Sequence, residues 1–266
     1  MKTFKLLSIA LALSSIYSCS TVPLTGRRQL SLVGDSEINQ AAAASYSQLL
    51  SDPKTTVIAG TTDAQRVKRV GTQLATAIER YLQQNGYASQ YNFKWEFNLI
   101  KSNEVNAWCM PGGKVAVYSG LLPIAGNDAG LATVMGHEIG HAIARHSAER
   151  MSQELAAQAG GGLIGVATSN KSAATQAIIG QLYGVGGQLT LLKYSRDQES
   201  EADKLGLTFM AMAGYDPNEA VAFWQRMAAQ NKGGSTPEFL STHPADATRI
   251  AAIQRAVPDA MKYYKK

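Results

Sequence analysis

The segment LATVMGHEIGHAIARH at residues 131–146 constrains this chain more than any other. Two histidines, His137 and His141, stand four residues apart in an apolar, helix-compatible stretch. Residues four apart on a helix project in nearly the same direction, so two imidazoles placed this way can share one Zn²⁺. Glu138 lies about 100° round from His137, beside such a metal rather than on it. A carboxylate there can take a proton from a metal-activated water. Leu131, Val134, Met135 and Ile143 are apolar, which calls for a buried helix. The competing reading, two incidental histidines, has to be tested against the rest of the chain.

A catalytic zinc needs a third protein ligand and an open fourth position. Residues 195–203, SRDQESEAD, offer one. Glu199 and Asp203 share a helix face, while Glu201 points about 160° away from Glu199. Glu199 can then ligate zinc, and Asp203 can accept a hydrogen bond from the far nitrogen of a ligating histidine. Taken alone, the run reads better as a solvated acidic face, and only the HExxH segment beside it favours the ligand reading. His146 is nine residues from His137, about half a turn round the helix, and cannot join the metal unless the helix ends first. The metzincin pattern also fails, because Ser147 stands where its third histidine would be. His146 is therefore read as structural or helix-terminal. His243 precedes Pro244 in non-helical backbone, free to enter a site from a loop. Its functional reading is donation to the oxyanion formed when water attacks a carbonyl, and its plain reading is an exposed loop histidine.

The chain has 266 residues, 45% hydrophobic and 17% charged, which excludes a disordered or fibrous protein and fits one sizeable core. Its formal charge is +5, and two of those charges, Lys2 and Lys5, lie in the amino-terminal segment. The remaining surplus forms no basic cluster, so no nucleic-acid partner is expected. Two cysteines cannot build a disulfide framework.

Residues 1–18 read as a signal peptide, with two lysines before an apolar run too short to span a bilayer. Cys19, after Ile16-Tyr17-Ser18, resembles a lipobox cysteine; the alternatives are a free Cys19 or one paired with Cys109. Residues 19–34 then form a lipidated amino terminus and a tether or ordered arm. Ser20 after the cysteine resembles the outer-membrane sorting pattern. The expected location is therefore a bacterial cell envelope, lipid-anchored at the outer membrane and facing the periplasm.

Helices are expected from Asp35 or Ser36 to about Leu50 and from Thr62 to Asn85. From Tyr91, the alternation of Phe93, Trp95 and Phe97 with Lys94 and Glu96 predicts a strand. Pro111-Gly112-Gly113 predicts a hairpin. The chain from Asp128 onward reads mainly helical. Residues 172–192 are uncharged but rich in Gly, Gln and Thr, so the glycine-rich stretch 155–192 is read as a buried or mobile helical hairpin rather than a membrane span.

HEIGH, the ExxAD arrangement from Glu199 to Asp203, NAWCMPGG at 106–113, and STHP followed by Arg249-Ile250 occur in this chain. Together they resemble the M48 family of gluzincin metallopeptidases over about Asp35 to Ile250. The resemblance implies an α+β, mainly helical, zincin-like fold with a small β-sheet beside the HExxH helix, and a peptidase domain over residues 35–266. It implies one Zn²⁺ on His137, His141 and Glu199, with Glu138 as general base, Asp203 behind a ligand, and His243 as transition-state stabiliser. Lys114, Val115, Ala116, Val117 and Tyr118 would form the edge strand that takes an extended polypeptide substrate. The implied activity is zinc-dependent endopeptidase cleavage of envelope proteins in quality control. A zinc-stabilised chaperone with little peptidase activity and a non-peptidase zinc hydrolase are the alternatives. The sequence sets no oligomeric state.

Overall fold

The computed structural model describes residues 19–158, 194–230 and 237–265. Most of the stretch 155–192 therefore lies outside the described residues, and so does the helical hairpin expected there. The described chain opens with an antiparallel pair, β1 (Cys19–Thr21) and β2 (Arg28–Leu30). Val22 and Val33 are buried, so this segment is an ordered arm packed on the body rather than a loose tether.

Helices α1 (Asp35–Ser51) and α2 (Thr62–Gln84) flank the short strand β3 (Val57–Ile58). The two helices fall where a capping residue placed the first and apolar periodicity the second. The Thr61 side chain caps α2 by accepting from the Ala64 N–H, and Val67, Val70, Leu74 and Ile78 line its buried stripe. Gly86, at φ 75°, supplies the left-handed residue that ends the helix.

Strands β4 (Glu96–Ile100), β5 (Ala107–Met110) and β6 (Lys114–Tyr118) complete a four-stranded sheet in the order β3-β4-β6-β5. The strand expected from Tyr91 begins only at Glu96. Tyr91, Phe93, Trp95 and Phe97 keep their alternation and stack in sequence, with successive centroids 5.4, 4.4 and 6.0 Å apart. The Pro111–Gly113 turn folds β5 back antiparallel on β6, while β6 runs parallel to β4 on its other side. This corrects the expected edge strand: Lys114 to Tyr118 is an interior strand with both ladders filled. The edge on this side of the sheet belongs to β5, because β6 gives its other side to β4.

Beyond a short helix α3 (Leu122–Ala125), the chain is helical among the described residues: α4 (Asp128–Ile143), α5 (His146–Gln158), α6 (Arg196–Met212), α7 (Glu219–Ala229), α8 (Glu238–Thr242) and α9 (Ala247–Ala260). The fold is α+β and mainly helical, as expected. Helix α4 is buried on nearly every face. Its close partner is α6, and glycines make the approach possible. A Cβ on Gly140 would meet the Ala202 carbonyl at 2.8 Å, and one on Gly206 would meet the His137 N at 2.8 Å. The two glycines of GHEIGH therefore bring the histidine face of α4 against the acidic face of α6. The hydroxyl of Ser195 and the amide of Gln198 form a capping box that fixes the start of α6. No described helix is long and apolar enough to cross a membrane.

Candidate metal centre

Helix α4 carries His137, Glu138 and His141, all buried, and α6 sets Glu199 and Asp203 opposite them. His137 Nε2 and His141 Nε2 lie 3.1 Å apart. Glu199 places Oε2 3.5 Å from the first and Oε1 3.4 Å from the second. A tetrahedral zinc with bonds of about 2.0–2.1 Å sets its ligand atoms roughly 3.3–3.4 Å apart. The two imidazole nitrogens thus stand near the edge length of one coordination tetrahedron, and a different oxygen of Glu199 lies close to each of them. His243 Nδ1 joins them, 3.2 Å from His137 Nε2 and 2.9 Å from Glu199 Oε1, and the four residues form one possible metal-holding group.

Glu138 stands beside this group. Its Oε1 is buried without a hydrogen-bond partner among the described residues, 4.0 Å from His137 Nε2 and 3.6 Å from His243 Nε2. A buried, unpaired carboxylate oxygen is costly unless a proton donor comes to it. Two histidines, a carboxylate and an orphaned acceptor beside them fit zinc, which takes imidazole nitrogen and carboxylate oxygen as ligands. Burial raises the Glu138 carboxyl above its ordinary value, against the pull of His243 and His137.

The two ligand-type histidines are held differently. Asp203 Oδ1 accepts from His137 Nδ1 at 2.9 Å. Asp203 is in turn gripped by Arg249, whose Nε and Nη2 donate to its two oxygens at 2.9 and 2.8 Å. Arg249 also pairs with Glu199 through Nη1 at 2.9 Å and lies over the Trp224 ring at 3.7 Å. Burial works to lower the His137 pKa, but Asp203 and Glu199 outweigh it and raise it to about 9. Burial also opposes ionisation of Glu199, yet bonds to His137, His141 and His243 hold it far below the usual carboxylate range.

His141 rests on His146. Helix α4 stops at Ile143 and Arg145 takes a left-handed φ of 55°, so α5 starts afresh at His146. Such a conformation in a non-glycine residue costs on the order of 1–3 kcal/mol and persists only where surrounding contacts impose it. Here Arg145 pairs with Asp35 at 2.7 Å and covers the Tyr91 ring at 4.4 Å. The break swings His146 back, its Nδ1 2.7 Å from His141 Nδ1 and its Nε2 3.0 Å from Glu201 Oε2. The Tyr194 ring stacks on His141 at 4.0 Å. Burial pushes His141 well below its ordinary value, into the neutral form that ligates metal.

On the premise of a continuous helix, the sequence puts His146 half a turn from the metal face. The structure instead sets it against His141. Sequence spacing assigns no role to Tyr194 or Arg249, and it leaves Glu201 pointing outward. Glu201 does point away from Glu199, but onto a buried partner set rather than into solvent. Nothing in the local sequence announces the break, since no glycine or proline lies between Ile143 and His146.

A cleft of about 490 Å³ beside the site is lined by Asn39, Tyr91, Phe93, Gly112, Lys114 and His141, among others. Lys114 is the one β6 residue on it. Cys109 is a free thiol, which rules out its pairing with Cys19, and burial keeps its pKa well above the ordinary thiol value.

A buried helix pair carrying HExxH on one member and a facing glutamate on the other defines a gluzincin-type metal centre. The chain belongs to peptidase family M48, whose family model matches residues 63–257. It is similar to the mitochondrial metalloendopeptidase OMA1 of Schizosaccharomyces pombe, 39% identical over 176 residues, covering 64% of this chain and 48% of that protein. It is 30% identical to the Bos taurus mitochondrial metalloendopeptidase OMA1 over 247 residues, 90% of this chain and 46% of that one. The beta-barrel assembly-enhancing protease of Escherichia coli K12 is 32% identical over 171 residues, 62% of this chain and 35% of the relative. The chain spans about half the length of these relatives or less.

The comparisons overturn the outer-membrane placement. Four relatives, at 30–39% identity, bear mitochondrial names. A short leader is an address read by a receptor, and a few residues of it carry far less information than an alignment over the body of the chain.

Proposed function

We propose that the chain is a zinc-dependent endopeptidase, with His137, His141 and Glu199 as the metal ligands. The observation that carries this is the unpaired buried oxygen of Glu138 beside two imidazole nitrogens 3.1 Å apart, each with an oxygen of Glu199 within 3.5 Å. Zinc at that position supplies a Lewis acid and acidifies water at neutral pH. Glu138 accepts the proton of the attacking water and delivers it to the leaving amine. Its raised pKa suits a group that must both take and return a proton. His243 Nδ1 donates to Glu199, so its Nε2 can also donate, to the oxygen that gains charge as the carbonyl is attacked, when the ring is the doubly protonated imidazolium. Asp203 fixes the tautomer and direction of His137.

An extended peptide substrate would add to the free edge of β5, whose antiparallel neighbour β6 occupies its other side. The substrate class is polypeptide, and the role is removal of misfolded or unassembled proteins. The names of the similar proteins, a metalloendopeptidase and an assembly-enhancing protease, support both readings. Residues 1–18 as a removable leader, 19–34 as an acylated arm and 35–266 as the peptidase domain belong to the same proposal. Acylation of Cys19 would be the membrane contact. Cys19→Ala should then release the chain from membrane fractions, and continued tight association would remove that part.

Glu138→Gln tests the chemistry. It should retain zinc and lose cleavage of an unfolded protein substrate such as casein, because the base is not a ligand. Full activity, or loss of zinc, would overturn the assignment.

A further inference from the structure

We propose that the amino-terminal arm is a working part of the metal centre, with Arg27 as a positioning residue for His141. The turn between β1 and β2 carries Thr25 and Arg27 onto α5 and α6. Arg27 Nε donates to Glu201 Oε2 at 2.6 Å. Its Nη1 and Nη2 donate to the two oxygens of Glu149 at 2.7 and 2.9 Å. The Thr25 hydroxyl donates to the other oxygen of Glu201. One guanidinium thus spans two buried carboxylates, a task suited to the fixed fork of arginine and beyond the reach of a single ammonium.

Only one arrangement of protons satisfies the atoms that follow. Metal binding through His141 Nε2 leaves its Nδ1 protonated, donating to His146 Nδ1 at 2.7 Å. His146 must then carry its proton on Nε2, donating to Glu201 Oε2 at 3.0 Å. The chain His141–His146–Glu201 ends on a carboxylate whose position is set by Arg27 and Thr25. Partners behind a ligating imidazole fix its ring orientation, and losing one typically weakens metal binding by about 10–100-fold. The usual carboxylate behind a histidine is here displaced by one imidazole. The residue that locks it comes from near the start of the described chain, on the arm that precedes α1.

The arm has independent moorings. Val22 is buried in the core, and the Leu32 N–H donates to Ser152 Oγ at 2.9 Å. Arg27→Ala therefore leaves the arm docked and tests the relay itself. The inference rests on His141 being a metal ligand, so that is measured first on the full chain. His141→Ala should lose zinc in chelator competition; if it binds zinc like the parent, the ligand assignment fails and the relay falls with it. Given that loss, Arg27→Ala should weaken zinc binding roughly tenfold, at the lower end of the range for such partners. It should also shift the visible absorption of the cobalt-substituted protein, which reports ligand geometry directly. Arg27→Lys should recover part of the affinity. In a His146→Ala background, Arg27→Ala should add nothing further. A lowered melting temperature with unchanged zinc affinity and cobalt spectrum would overturn the proposal, and so would an undiminished Arg27→Ala effect without His146. If Arg27→Ala fails to fold, Arg27→Lys against the His146→Ala background carries the same test.

Discussion

The two histidines of one helix turn are held by supports of different construction. His137 leans on Asp203, one carboxylate on the facing helix, clamped by Arg249 over Trp224. His141 leans on a second histidine, then on Glu201, then on an arm from the start of the described chain. The first support is short and doubly charged, and it raises His137 to about 9. The second meets the ring with a neutral partner, and burial dominates, so His141 stays neutral. Ligands in one coordination sphere thus need not share one kind of backing, provided each ring is fixed in direction.

The largest effect that bears on this contrast lies at Glu199, the proposed third ligand. Glu199→Ala should abolish stoichiometric zinc, since it removes a donor shared by both histidines. Glu201→Ala, on the opposite face of α6, should keep zinc but bind it about 10–100-fold more weakly. Metal analysis with the two variants reversed would exchange their roles. Next come the supports themselves. Asp203→Asn and His146→Ala should each weaken zinc by about 10–100-fold. The double variant should combine the two losses to within about twofold if the supports are independent. A double variant no weaker than either single one would show that they form one network.

Asp203 is legible in the sequence because a helix has a fixed period, and four residues from Glu199 puts it on the same face. The pairing of His137 with His141 is legible for the same reason, and so is the strongly periodic helix α2, whereas Glu199 stands out only beside the HExxH segment. His146 is not. Its position depends on Arg145 adopting a left-handed backbone that only Asp35, Tyr91 and the packing around them impose. Arg27 is invisible for a related reason: residues so far apart along the chain meet only once α5 and α6 have packed. The edge strand is misplaced because a hairpin predicts which strands pair but not which neighbour takes the remaining side. Parallel pairing of β6 with β4 decides that.

A perturbation shared by both supports comes next. Gly206→Ala inserts a Cβ 2.8 Å from the His137 N and 2.9 Å from the Gly136 C, both backbone atoms that cannot rotate away. The helices α4 and α6 must separate, at a cost of about 1–3 kcal/mol typical of overpacking. Chemical denaturation should show that loss, with zinc affinity falling through both histidines at once. Unchanged stability would mean that the close approach is not needed to build the site.

The smallest expected effect is a control at the start of α4. Asp128 accepts from Arg66 at 2.8 Å and from Arg69 at 2.7 Å. Burial works against its charge, yet the two arginines hold its pKa below the ordinary aspartate value. A carboxylate with a lowered folded pKa adds stability above its unfolded value of about 3.9 and loses that contribution as the pH falls through the folded one. Its side chain is 39% exposed, so solvent and salt screen the pair and limit the contribution to about 1 kcal/mol or less. Asp128→Asn should therefore lower the stability of the metal-free chain by that small amount at pH 7, and the difference should shrink as the pH falls below about 3.9. Because Asp128 touches neither support, zinc affinity should not move. A shift in affinity as large as that of His146→Ala would mean that any strain on α4 reaches the ligands. The contrast between the two supports would then reflect the stiffness of one helix rather than the partners behind each ring.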